Sequence, residues 1–132
     1  MNYDKQFLMC ALIFAAVGLA LGIYMAATDN HGQLVTHAHI LMIGFVFSLA
    51  YAVIHRLWLD NPSRSLASTQ FVLHQATAIA ISIGLFLLFG GFVPAATLGP
   101  ILGIVSTGVL LALLLMLYMV AKFGRRGTAT GG

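Results

Sequence analysis

Four apolar runs dominate this chain, each near the ~20 residues that carry a helix across the hydrocarbon core of a bilayer. They fall at about Phe7 to Ala27, Leu34 to Leu57, Phe71 to Val93 and Leu98 to Val120. Within 132 residues they leave room only for short connections, and with 61% hydrophobic and 7% charged residues no polar surface remains to enclose them. A mean hydropathy of +1.02 agrees. The expectation is an all-α integral membrane protein: one domain over 1–126, a four-helix up-down bundle facing lipid, followed by a flexible Gly- and Thr-rich tail at 127–132. The first run is longer than the ~7–15 apolar residues of a signal peptide and reads as a membrane helix.

Turn chemistry divides the runs in the same places. Thr28-Asp29-Asn30-His31-Gly32 forms a polar turn, Asp60-Asn61-Pro62-Ser63 carries stop and capping residues, and Gly90-Gly91 with Pro94 punctuates the last hairpin. An up-down-up-down path puts all six cations, Lys5, Arg56, Arg64, Lys122, Arg125 and Arg126, at one end. By the positive-inside rule both termini and the 56–66 loop are expected in the cytoplasm of a multi-pass protein of a bacterial inner membrane. So few cations, balanced in part by three acidic residues, give no nucleic-acid footprint. The one cysteine, Cys10, lies in the first apolar run, where it reads as a packing residue.

Against this apolar background five histidines stand out. Four of them, His37, His39, His55 and His74, lie within or at the ends of apolar runs, where an unpartnered polar ring is costly and a functional role is the default hypothesis. A metal, above all haem iron, is the partner such rings predict. On a regular helix His37, Leu41, Gly44, Ser48, Ala52 and His55 trace one stripe, because the step from 37 to 55 is about five whole turns. Two rings bracketing small Gly44 and Ser48 suit a planar macrocycle; close helix packing explains the same pattern. His39 points ~200° away from His37, so the two do not serve one groove together.

His74, followed by Gln75 and Thr77, enters on the third run, and antiparallel pairing is expected to bring it to the level of His55. That pair best meets the needs of bis-imidazole ligation within one chain, although an interfacial His55 beside Arg56 needs no such role. An alternative is an outer copper site from His31, His37 and His39 with Met25, since imidazole and thioether suit copper. A further alternative is a structural or assembly subunit that uses its histidines for interhelical hydrogen bonds.

The run Tyr24-Met25, Asp29-Asn30-His31, Thr36-His37-Ala38-His39-Ile40-Leu41, Gly44-Phe45, then Tyr51, Arg56 and Leu73-His74-Gln75 resembles the small four-helix membrane proteins related to subunit I of haem-copper oxidases. The resemblance spans about residues 20–80. It implies haem b, with His37, His39 and His74 as the family-like histidines; Leu41, Phe45 and Gln75 depart from the Asn, Trp and Asn of that pattern. His39 and His74 are expected at different depths, which calls for two metal sites, a homodimer or an offset third helix. The chain is too short for a complete oxidase, and no hydrolytic triad, paired carboxylates, phosphate loop or Cys-x-x-Cys suggests another enzyme. The expected function is therefore a b-type haem protein that transfers electrons or binds a gas ligand in respiration, alone, as a homodimer or beside a respiratory-complex partner.

Overall fold

A computed structural model describes residues 2–126. The expected tail at 127–132 lies outside them. Four helices follow in order: α1 (Tyr3–Thr28), α2 (Leu34–Leu57), α3 (Arg64–Phe89) and α4 (Ala95–Phe123), each long and apolar enough to cross a membrane. Helices buried on one side in water show a marked apolar stripe; these are apolar all round, as lipid-facing helices are. Large side chains such as Ile23, Ile104 and Leu117 turn outward, with Ile104 75% exposed. The few interior polar residues are Thr36, Ser48, Gln70, His74 and Gln75.

Local chemistry sets the ends. α1 stops where Asp29 takes a left-handed conformation (φ 50°), after which Asn30 folds its side chain back to accept a hydrogen bond from Gly32 N–H at 3.0 Å. Ser63 caps α3, its hydroxyl accepting from Leu66 N–H. α3 therefore begins at Arg64, well before its apolar run, and ends at Phe89 ahead of Gly91 (φ 73°), not at Val93. Apolar content marks the lipid-embedded part of a helix; caps mark its true length, and α1 and α4 likewise overrun their apolar cores.

The helices alternate in direction. Arg56 meets Asp4 and Tyr51 meets Phe7 between α2 and α1; Ser48 meets His74 between α2 and α3; Gln70 donates to the Ala112 carbonyl at 3.2 Å between α3 and α4. The six cations thus share one end of the bundle, the basic end, opposite the turns at 29–33 and 90–94. α1 packs along α2, α2 along α3, and α4 along α3. At the basic end all four converge on a core of Phe7, Tyr51, Ala52, Leu59, Ala67, Met116 and Met119. A clasp closes it: Asp60 N–H donates to the Phe123 carbonyl at 2.8 Å, Arg125 N–H to the Trp58 carbonyl at 2.6 Å, and Leu59 bridges Gly124.

α2 is not a regular helix throughout. Residues Ile40–Phe47 are π-helical, with α-helix on either side. A π segment frees backbone carbonyls from their usual partners and re-aims the side chains beyond it, and such segments recur at functional sites. Here it separates the His37–His39 end of α2 from the Ser48–His55 end.

Candidate functional site

Among the described residues His74, on α3, is fully buried, as are Thr36, Ser48 and Gln70. The Nε2 of His74 lies 3.2 Å from Ser48 Oγ, the first residue past the π segment, and Gln75 Nε2 donates to the same hydroxyl oxygen at 3.2 Å. While accepting from Gln75, Ser48 Oγ keeps one proton and one lone pair, so it can pair with either tautomer of His74 at Nε2. The backbone of Ile43, inside the π segment, faces the ring. Even so, Nδ1 has no hydrogen bond of good geometry. Tyr51 packs edge-on against the ring at 4.8 Å, with Phe7 and Phe47 at 6.2 and 6.5 Å.

His55 and His74 do not share a level. His74 stands opposite Ser48, and His55 lies two helical turns nearer the basic end, ~10 Å along α2. The antiparallel expectation failed because α3 starts at Arg64, which carries His74 about three turns into the helix instead of one. Phe7 packs against both imidazoles, at 5.6 Å from His55 and 6.2 Å from His74, so a protein ring stands where a macrocycle would have to lie. His55 also packs on Tyr3, and its Nε2 is buried without a partner.

The stripe on α2 is divided. His37, Gly44 and His55 face α1, whereas Ser48 turns to α3. The space left by Gly44 is filled by the Phe14 ring of α1. Between these histidines the interior of one chain is thus packed with its own aromatic side chains, and it does not fit a haem.

His37 is presented differently. Its Nδ1 donates to the Gly18 carbonyl of α1 at 2.7 Å, and the ring lies over Gly22, where a Cβ would come 2.9 Å from Cε1. The spacing Gly18-x-x-x-Gly22 gives the imidazole access to the helix backbone. A carbonyl can only accept, so Nδ1 holds the proton and Nε2 keeps its lone pair on a part-exposed ring. This is the arrangement in which imidazole binds metals: one nitrogen fixed by a backbone acceptor, the other free. His39 Nδ1 makes the same kind of bond to the Val35 carbonyl of its own helix at 2.9 Å, one turn back. His31 is exposed in the turn after α1, and Met25 is buried on α1. Among the described residues no group of three or more His, Cys, Asp or Glu is gathered as a metal site, so His31, His37 and His39 are not assembled into the outer copper set.

Sequence reasoning missed the parts played by Phe7, Tyr51 and Gln70. Gln70 is fully buried, with its Oε1 unpaired, and Tyr51 buries an unpaired hydroxyl against His74. A glutamine on an otherwise apolar helix was the available signal; for the aromatics there was none. The chain matches no family model, no curated protein and no solved structure. The likeness to haem-copper oxidase subunit I therefore stands on the residue pattern alone.

Proposed function

We propose that this chain is a multi-pass membrane protein that holds haem b through His37, at the end of the bundle opposite its cations, and serves respiration by electron transfer or gas-ligand binding. One observation carries the reading: the Gly18 carbonyl fixes the His37 ring so that a free Nε2 remains on a part-exposed imidazole. Haem would supply a one-electron couple or an open iron position. The protein contributes a pre-set tautomer, a ring held in place against Gly22, and apolar helix faces that exclude water. Since the chain's own interior is filled, any further protein ligand would come from another copy or a respiratory partner, and without one the haem would supply a site for a diatomic gas. With the cations inside by the positive-inside rule, the His37 end faces outward across a bacterial inner membrane.

Expression with ample haem, purification in mild detergent and an absorption spectrum test this. A Soret band that disappears in His37→Ala and persists in His74→Ala supports the assignment. A colourless wild-type protein overturns it and leaves the structural-subunit reading, which is favoured by the internally paired Ser48, His74 and Gln75. Copper without a Soret band would instead revive the outer site of His31, His37 and His39.

A further inference from the structure

At the basic end a cleft of about 520 Å³ opens between the start of α1, the end of α2 and the start of α3. Arg56, Arg64 and Arg125 line it, each from a different segment, together with His55, Tyr3 and Asp4. We infer that this cleft binds the phosphate of an anionic phospholipid headgroup, independently of any haem.

The charge balance comes first. Three arginines and one carboxylate, Asp4, line the opening; only Arg56 meets it, at 3.5 Å, with an Arg56 side chain that is 75% exposed. Among the described residues Arg64 and Arg125 have no acidic partner. Three planar donor forks converging on one opening match the tetrahedral oxygens of a phosphate, and guanidinium is the side chain best suited to them. A positive end alone would follow from membrane orientation; convergence of three segments on one cleft does not.

The segments are held there. The clasp of Arg125 N–H on the Trp58 carbonyl, with Asp60 N–H on Phe123, fixes the backbone that carries Arg125 beside the α2–α3 loop, and Ser63 caps the helix that begins with Arg64. His55 lines the cleft wall, its ring held by Tyr3 and Phe7.

The source of the phosphate follows from position. The cleft lies at the polar ends of four lipid-spanning helices, next to Trp58, a half-exposed indole of the sort that settles at the headgroup level. A lipid arriving there can place its phosphate among the arginines while its chains run down the exposed apolar helix faces. With this end on the cytoplasmic side, as proposed above, it meets the leaflet whose anionic lipids are drawn to nearby cations.

Trp58 is the only tryptophan, so its fluorescence reports on this site. The purified full chain would be placed in bilayers of phosphatidylcholine containing either phosphatidylglycerol or phosphatidylcholine brominated high on the acyl chain, and quenching compared. The expected result is a several-fold preference for brominated phosphatidylglycerol, which falls to parity in R64Q/R125Q and survives in K5Q/K122Q, a variant with the same loss of charge outside the cleft. Equal loss in both double variants, or no preference in the wild type, overturns the inference. Abolition of the preference by inorganic phosphate, but not by chloride of equal ionic strength, would assign the cleft to free phosphate and overturn the lipid source. Circular dichroism of each variant checks that the helices persist.

Discussion

A histidine surrounded by lipid-spanning helices can be a ligand or a fastener, and the two roles differ in which nitrogens are satisfied. At His74, Nε2 joins Ser48 and Gln75 in a three-residue cluster between α2 and α3, while Nδ1 is buried without a partner. Removing one member strands the others, so Ser48→Ala should cost about 1–3 kcal/mol by the usual penalty for an orphaned buried group, toward the lower end in a bilayer. Replacing all three at once (S48A/H74L/Q75L) removes the orphans together with the bonds and should be no less stable than Ser48→Ala alone. Unfolding by SDS titration in mixed micelles compares them; a triple variant weaker than the single one would show that the cluster contributes more than mutual satisfaction. The importance of His74 was legible from an imidazole in an apolar run. Its partner was not, because pairing depends on where α3 starts, and Ser63 sets that start through a hydroxyl cap that apolar segmentation does not register. His37 was legible as a candidate, but its tautomer was not: that rests on a carbonyl of another helix.

At the scale of elements, the number of helices and the full extent of α2 could be read directly, since runs of lipid-compatible residues have few alternatives to a hydrogen-bonded helix in a membrane. The π segment at Ile40–Phe47 could not, because Ile-Leu-Met-Ile-Gly-Phe-Val-Phe is equally apolar whichever hydrogen-bond step it adopts. Its consequence is that α2 carries an extra residue in a wide turn. Deleting lipid-facing Met42, 59% exposed, should return the turn to α steps with the His37 and Ser48 ends still close to register. The His37–Gly18 bond and the Ser48–His74 contact should then both remain. A cysteine pair at Gly22 and His37, introduced in a Cys10→Ala background, should cross-link in the full-length helix and in the deletion alike; failure in the deletion would show that the wide turn sets the direction of His37. Gly44 offers a simpler probe: a valine there collides with Phe14 and should weaken α1–α2 packing by about 1–3 kcal/mol, read in the same SDS titration.

For the molecule as a whole, the alternation of helix directions places Asp60 and Asn30 at opposite ends. With Cys10 replaced, single cysteines at these two positions should label from opposite faces of sealed membrane vesicles with an impermeant maleimide, and by the positive-inside rule Asp60 should react from the cytoplasmic face. Labelling of both from one face would contradict the bundle itself; labelling from reversed faces would contradict only its orientation. The gathering of the cations at one end was legible from the up-down path, while the filling of the interior was not, since nothing in the order of residues announces that Phe7 and Phe14 from α1 occupy the spaces beside His55 and Gly44.

The fastening of α4 has its own consequence. Its last residues are stitched to the α2–α3 loop through Trp58, Asp60 and Arg125, whereas along the rest of its length it leans on α3 alone. It is mounted like a door with its hinge at the basic end. The turn at 90–94 keeps α4 on α3, so a lipid tail or a transmembrane segment of another protein that wedges in between α4 and α1 or α2 has to enter at the end away from the clasp, and the opening it makes widens toward that side of the membrane.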